Sequence, residues 1–517
     1  MADQLILSID VGTQSVRAVL FDLRGNIVAM QKVFLPPWQV PQPGWAEQEA
    51  AVYWRSLCRA VNMLWQENAG YKERLLGLTL TTQRSTVVLL DNECRLLYPA
   101  VLWLDQRRAE QVPVLPWHWR WLFTLLGQRQ TLHYLQSQAE VNWFAAHRPD
   151  IWNRTDKVLF LSGYLTWQLT GELVDSVGCQ VGYLPFDYRR QDWAANNDWK
   201  WHALSVRPEQ LPRLVKPGQI LGQVSKSAAE VTGIPPGMPL VAAAADKACE
   251  VLGSGCLQEG QASISYGTTA TINVTSNRYL EPLPLLPPYP SAVPGCYNLE
   301  VQIYRGFWLI SWFIREFGSL EQTVARESCQ APEEVFDRVI QSIPPGCQGL
   351  VVQPYWSPGL RLPGLEARGS VIGFRDIHTR GHFYRALLEG LAFALREGGE
   401  RLEKRTGRKM ATLCVSGGGS RSNQMLKITA GVFNMPVVRP HTWETSALGA
   451  AVVAAAGLRV YASIAEAVGG MVRYQETIPP DKADAGVYNE LYERVYKPLY
   501  RRVKPLYRVL AAQKSLF

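Results

Sequence analysis

Residues 10–22 read Asp10-Val-Gly-Thr-Gln-Ser-Val-Arg-Ala-Val-Leu-Phe-Asp22, and the pattern returns as Ser265-Tyr-Gly-Thr-Thr-Ala-Thr-Ile272. In each copy a β-rich run is broken by Gly-Thr and resumes with hydroxyl-bearing or β-branched residues. Such a break makes a tight turn whose backbone N–H groups and hydroxyls can face a phosphate. One Gly-Thr is ordinary hairpin punctuation. Two copies about half a chain apart predict two related domains, each presenting a phosphate loop, and the matched pair points to ATP.

The surrounding pattern extends this reading. Apolar runs at 5–10, 16–22 and 27–34, separated by Gly-containing turns, predict an antiparallel meander. A helix is expected over 47–68, then strands at 75–81 and 86–91. The loop Gly233-Ile-Pro-Pro-Gly237 leads into the buried run 239–245. The order repeats with strands at 261–264 and 269–274. Farther on, Tyr384, Leu387, Leu388, Leu391 and Leu395 form one helical stripe. A strand at 411–416 runs through Gly417-Gly-Gly-Ser-Arg-Ser-Asn423 into a helix over 424–433, with a strand at 435–439 and a helix ending near 456. Strand–glycine–helix order predicts an α/β architecture with nucleotide contacts at helix N-termini. The domain boundary is placed near 250–260. The Pro/Leu-rich stretch 280–294 reads as a surface excursion without assignable chemistry.

At 517 residues the chain exceeds one compact core, which predicts two or more domains. A hydrophobic fraction of 47% with 19% charged residues suits a soluble globular enzyme. The net charge of +8 is scattered. Its densest stretch, Arg501, Arg502, Lys504 and Arg508, alternates with Leu499, Tyr500, Val503 and Leu506. That is the pattern of an amphipathic helix with a solvated face, rather than of a membrane or nucleic-acid contact. Nine cysteines without a Cys-x-x-Cys pair argue against a disulfide framework or zinc site, and a cytoplasmic setting is expected. No leader segment is expected, and the apolar run 447–457 is too short to span a bilayer.

Several residues carry candidate chemistry. Asp10, ending a buried strand beside a phosphate turn, is placed to hold Mg²⁺ directly or through water, or to cap the turn. Arg17 lies two positions beyond Ser15, on the same strand face, and could reach a β- or γ-phosphate. Asp246 follows the apolar run 240–245. It reads as a helix N-cap and as a group that orients a hydroxyl and accepts its proton. Gln83-Arg84-Ser85 and Trp103-Leu-Asp105-Gln-Arg107 combine an aromatic face, a carboxylate and guanidinium donors suited to a polyol; a surface ion-pair cluster is the alternative. Gly417–Asn423 matches neither a P-loop nor a dinucleotide fingerprint, although three glycines allow close approach to a flat ring.

Taken in order, these motifs resemble the FGGY carbohydrate kinases. Asp10-x-Gly-Thr-x-Ser-x-Arg17 is similar to the family's first phosphate motif, Ala245-Asp246 to the segment of its catalytic base, and Tyr266-Gly-Thr-Thr269 to its second phosphate motif. The stretch from Gly369 through Glu389 is similar to its C-terminal signature. Ser416–Asn423 and Glu444–Gly449 are similar to its adenosine region. The resemblance covers about residues 5–457. It implies two actin/hexokinase-type (ribonuclease H-like) α/β domains, each a mixed five-stranded sheet flanked by helices, with the reaction in the interdomain cleft. Residues 1–249 would bind sugar and 250–517 ATP.

The implied roles are Asp246 as base and Asp10 with Asp246 at Mg²⁺, partly through water. Gly12, Thr13, Gln14, Arg17, Gly267, Thr268, Thr269, Gly418, Gly419 and Asn423 would contact ATP. Gln83, Arg84, Trp103, Asp105, Asp246 and Lys247 would contact the substrate. The expected activity is ATP-dependent phosphorylation of a ketose, polyol or sugar acid. A non-catalytic sensor on the same fold and an actin-like ATPase are the alternatives. No nucleic-acid or membrane partner is expected, and a homodimer is the assembly considered.

Five departures bear on substrate. Ser85 stands where glycerol kinases carry Glu, and Lys247 where they carry Gln. Gln83-Arg84-Ser85 replaces the Met-His-Gly typical of xylulose kinases, and Gly163 replaces a usual Asp. Phe307 and Trp308 also bulk up an early helix of the second domain. Lys247 hints at an anionic sugar, and an ion pair with Glu250 is its alternative.

Overall fold

The computed structural model describes residues 3–282, 286–359 and 363–512. Its contacts divide the chain into two compact units. The first comprises Met1–Gly253, Asn277–Asn298 and Thr445–Val472; the second comprises Ser254–Ser276, Leu299–Glu444 and Arg473–Phe517. Of the 280–294 excursion, residues 283–285 lie outside the described residues.

The first unit is built on β1 (Leu5–Val11), β2 (Ser15–Asp22) and β3 (Ile27–Phe34), the expected antiparallel meander. Every residue of β1 is buried, as befits a central strand covered on both faces. Helix α1 (Ala50–Glu67) follows, burying Tyr53, Leu57, Ala60, Val61 and Leu64 at helical spacing. It starts three residues later than expected because Glu47–Gln48 pair as a short strand with Ala100–Val101. Strand β4 (Leu75–Thr82) lies parallel to β1. Beyond it come β6 (Pro239–Ala242), parallel to β4, and the antiparallel edge strand β5 (Ile220–Gln223). The sheet order is therefore β5-β6-β4-β1-β2-β3. Helix α2 (Asp246–Gly253) leaves the end of β6.

The apolar run near 447–457 forms the helix Thr445–Gly457, buried within this first unit. The Ser8 hydroxyl donates to the Ala447 carbonyl at 2.8 Å. A Cβ on Gly449 would stand 1.9 Å from the Cys249 carbonyl oxygen, so glycine permits the two helices to touch backbone to backbone. None of the described helices is long and apolar enough to cross a membrane.

The second unit repeats the plan. Strands β7 (Gln261–Tyr266) and β8 (Ala270–Ser276) are antiparallel, and β9 (Tyr297–Ile303), whose first two residues are grouped with the first unit, lies beyond β8. Helix α3 (Phe307–Phe317) and the 27-residue α4 (Arg380–Thr406) follow, α4 burying the expected Tyr384–Leu395 stripe. Strand β10 (Thr412–Ser416) runs parallel to β7, helix α5 (Asn423–Phe433) comes next, and β11 (Val437–Pro440) pairs parallel with β10. Strand β12 (Tyr474–Ile478) closes the far edge antiparallel to β11.

With the edge strand β5 left aside, the core of both sheets runs in the same order, β3-β2-β1-β4-β6 in the first and β9-β8-β7-β10-β11 in the second, and the repeated Gly-Thr turn joins the first two strands of each. The repeat read from sequence is thus a repeat of topology. An antiparallel edge strand, β5 or β12, extends each five-strand core expected from the resemblance, and the Tyr289–Pro290 pair adds a seventh strand to the second sheet, antiparallel to β9.

Candidate active site

Ligands of open α/β sheets bind beyond the carboxyl ends of the parallel strands, where helix N-termini and loops converge. In the first unit those ends carry the predicted residues. Asp10 is the penultimate residue of β1, Gln83 and Arg84 follow β4, and Asp246 opens α2 after β6.

Asp10 is buried, and its Oδ2 accepts from Arg17 Nη1 at 2.9 Å. The antiparallel register sets the two opposite each other. Arg17 therefore neutralises Asp10. The turn between them is closed by the Gly12 N–H donating to the Ser15 carbonyl at 3.0 Å. Thr13 Oγ1 donates to Gln83 Oε1 at 2.6 Å and accepts from Trp103 Nε1 at 3.0 Å. Gln83 Nε2 donates in turn to the Tyr53 hydroxyl at 3.0 Å. This chain joins a residue expected at phosphate to two expected at substrate. It includes Tyr53, which sequence reasoning missed because on α1 it is one more apolar-face residue. Burial pushes the Tyr53 phenol up to about 12, so it stays protonated.

Asp105 engages other partners. Its Oδ2 accepts from the Ala46 N–H at 2.6 Å and from Arg107 Nη2 at 2.8 Å, and its Oδ1 accepts from the Arg107 N–H and Nε at 2.8 Å. Arg107 Nη2 also reaches Glu47 Oε1 at 2.7 Å, which accepts from the Tyr98 hydroxyl at 2.6 Å. The Arg107 guanidinium lies 4.1 Å from the Trp45 ring and 4.6 Å from that of Trp143, two rings that meet edge to face. The side chains of Arg107, Asp105 and Glu47 are no more than 5% exposed. The cluster is a buried ionic girder rather than a surface ion-pair group, and Asp105 spends both oxygens inside it.

Burial raises the Asp246 carboxyl to about 6, against the opposing charges of Arg84 and Lys247; Asp10 adds to the rise. A carboxylate near neutrality with cations at hand is suited to take a proton and remain mostly ionised at pH 7. Asp246 begins α2 and its Oδ1 accepts from the Lys247 N–H at 2.7 Å. Lys247 Nζ pairs with buried Glu250 Oε2 at 2.6 Å, the i, i+3 alternative. Arg84 lies 4.9 Å over the ring of Tyr289.

In the second unit the same ends carry glycine turns. Gly267 and Thr268, after β7, are braced from behind: the Phe307 N–H donates to the Gly267 carbonyl at 2.9 Å and the Gly306 N–H to the Thr268 carbonyl at 2.9 Å. Thr269 completes the turn ahead of β8. Gly417 has φ +79°, which excludes most other residues. A Cβ on Gly419 would lie 2.3 Å from the Phe307 ring, whereas one on Gly418 would meet nothing within 4 Å. Gly418 thus has the open side of this loop. Ser422 caps α5 by accepting from the Met425 N–H at 3.0 Å. The Asn423 amide oxygen accepts from Arg439, which also pairs with Glu476. Asp337 was missed by sequence reasoning; it is raised to about 6 by burial, opposed by bonds from Ser422 and the Gln424 N–H.

Two like-ordered sheets, each presenting a glycine turn at its parallel-strand ends, define an actin/hexokinase-type α/β protein. Residues 5–253 match the FGGY family of carbohydrate kinases, N-terminal domain, and residues 262–458 match its C-terminal domain. The chain belongs to this family and is a carbohydrate kinase. It is 30% identical over 505 residues to the uncharacterized sugar kinase YgcE of Escherichia coli (strain K12), covering 96% of this chain and 94% of that one. It is 27% identical over 514 residues to a xylulose kinase of Lactococcus lactis subsp. lactis (strain IL1403), covering 97% of each. The solved gluconate kinase from Lactobacillus acidophilus shares the fold with a TM-score of 0.83 at 21% identity, over 98% of this chain and 99% of that one.

Proposed function

We propose that the chain transfers the γ-phosphoryl group of ATP to a hydroxyl of a small ketose, polyol or sugar acid, with Asp246 as the general base. The acceptor is contacted by Gln83, Arg84 and Trp103 of the first unit. ATP is contacted by the turn Gly12–Gln14, by Gly267–Thr269 and by Gly418, Gly419 and Asn423. The observation that carries the reading is Asp246: a half-buried carboxyl at a parallel-strand end, raised to about 6 by desolvation against the opposing charges of Arg84 and Lys247. In the step, the acceptor oxygen forms a bond to the γ-phosphorus while its proton passes to the Asp246 carboxylate. The bond from the γ-phosphorus to the bridging oxygen breaks, and ADP leaves.

Mg²⁺ fits the residues present. Asp10 and Asp246 lie close enough for the charge of one to raise the other, and Mg²⁺ takes one or two carboxylates while keeping waters and phosphate oxygens. Bound there, it would offset phosphate charge. Lys247, held by Glu250, supports the acceptor site as a neighbour rather than as a contact. Names borne by the relatives, xylulose and gluconate kinase, make D-xylulose and D-gluconate the first acceptors to try. An ADP-release assay across ketoses, polyols and sugar acids tests the reading. Acceptor-dependent ADP formation that disappears in Asp246→Asn supports it; ATP hydrolysis indifferent to every acceptor refutes it.

A further inference from the structure

The segment Asn277–Asn298 follows β8 in the chain yet packs within the first unit. Several independent contacts tie it there. The Tyr297 hydroxyl donates to the Arg189 carbonyl at 2.8 Å, and the Arg189 guanidinium lies 4.8 Å over the Tyr279 ring. Gln191 Nε2 donates to the Cys296 carbonyl at 3.0 Å, and Gln191 Oε1 accepts from the Gly295 N–H at 3.2 Å. The segment's Tyr289–Pro290 pair packs against the turn Val177–Cys179. That turn is bonded to the residues leading into Asp246: the Ala245 N–H donates to the Gly178 carbonyl at 3.1 Å, and the Ser176 hydroxyl to the Ala243 carbonyl at 2.5 Å. Tyr289 is therefore held next to the base-bearing strand end, and its ring carries the Arg84 guanidinium at 4.9 Å.

We propose that Tyr289 is a positioning residue of the acceptor site, its ring holding the Arg84 guanidinium so that Arg84 meets the acceptor in one orientation. The inference rests on the kinase reading above, in which Arg84 contacts the acceptor. An arginine has several rotatable bonds, and a guanidinium seated on an aromatic face loses most of that freedom before the ligand arrives. Among the charges acting on Asp246, that of Arg84 is the largest, which agrees with its being kept nearby. The attraction uses the π-face and not the phenol oxygen, so phenylalanine should serve where alanine does not.

The test measures Tyr289→Ala and Tyr289→Phe in the full chain, with D-xylulose, D-gluconate and glycerol as probes among the acceptor panel. Tyr289→Ala should raise the acceptor KM about tenfold while ATP KM and kcat stay within about threefold, and Tyr289→Phe should stay near the parent. Urea denaturation of Tyr289→Ala, Arg84→Gln and the double variant provides a second readout independent of turnover: the loss on removing the ring should shrink when Arg84 is already gone. A Phe variant as impaired as Ala, or acceptor and ATP KM rising in step, overturns the positioning role. An additive denaturation cycle overturns the Tyr289–Arg84 contact itself. A chain that turns over none of the panel sinks the kinase reading and the acceptor role with it, a failure distinct from an additive cycle.

Discussion

Replacing Asp246 by Asn should separate activity from stability in opposite directions. The change keeps the size of the side chain and removes its ability to accept a proton, which should lower kcat by about 10²–10⁴-fold. Folding raises the carboxyl from its ordinary 3.8 to about 6, mainly by burial. An acid raised by folding supports stability below its unfolded value and loses that support as the pH climbs through its folded value. The full cost of ionising Asp246 in the fold is about 3 kcal/mol above pH 7, at 1.36 kcal/mol per pH unit. By the same linkage about half of it, ~1.6 kcal/mol, is already felt at pH 5. The neutral Asn escapes this cost, although it leaves the Arg84 charge with one fewer partner. Relative to the parent, Asp246→Asn should therefore gain about 1.4 kcal/mol between pH 5 and pH 8. Denaturant titrations of both proteins at the two pH values, in a chelator, measure the gain, and ADP release measures turnover. A stability difference that does not change with pH would refute the burial argument. Near-normal turnover would refute the base.

Other perturbations address the remaining groups. Arg107→Ala would leave the buried Glu47 and Asp105 carboxylates without their shared cation, and should cost about 3–5 kcal/mol by urea denaturation. Gly419→Ala must displace the Phe307 ring, an overpacking of about 1–3 kcal/mol that should appear as a roughly tenfold rise in ATP KM, partly reversed by Phe307→Leu. Thr13→Val removes the hydroxyl that links Gln83 to Trp103; if that link shapes the acceptor site, acceptor KM should rise more than ATP KM in steady-state kinetics. Lys247→Met should leave acceptor KM within about twofold, because its ammonium is committed to Glu250, and a larger effect would restore it as a substrate contact.

The framework was readable because its signals are local. The meander, the Gly-Thr turns and the α4 stripe each announce themselves within a few residues, and the topology they build matches in both units. The site was readable only as far as its motifs reach. Asp10 and Arg17 were recognised separately, and only the strand register shows them as a pair. Glu47 looked like the start of a helix because the strand it pairs with, Ala100–Val101, and its side-chain partners Tyr98 and Arg107, 51 and 60 residues away, are all distant in sequence. Asp105 has the composition of a sugar ligand, and only burial shows both its oxygens engaged. Tyr289 sits in a Pro/Leu-rich stretch whose composition speaks of turns, and its significance comes from a guanidinium two hundred residues earlier in the chain. Long-range pairing of this kind leaves no periodicity to read.

The helix Thr445–Gly457 has a consequence in time. It completes the core of the first unit, along with the rest of Thr445–Val472, yet it is made about 200 residues after Gly253. At synthesis rates of 5–20 residues per second, the amino-terminal unit waits roughly 10–40 s for its last buried piece. Until then β1, β4 and α2 lack the helix that lies over them, and their apolar faces stay open on the ribosome. A chain cut after Gly253 would remain in that unfinished state, so chaperone demand in this protein should fall on its amino-terminal half.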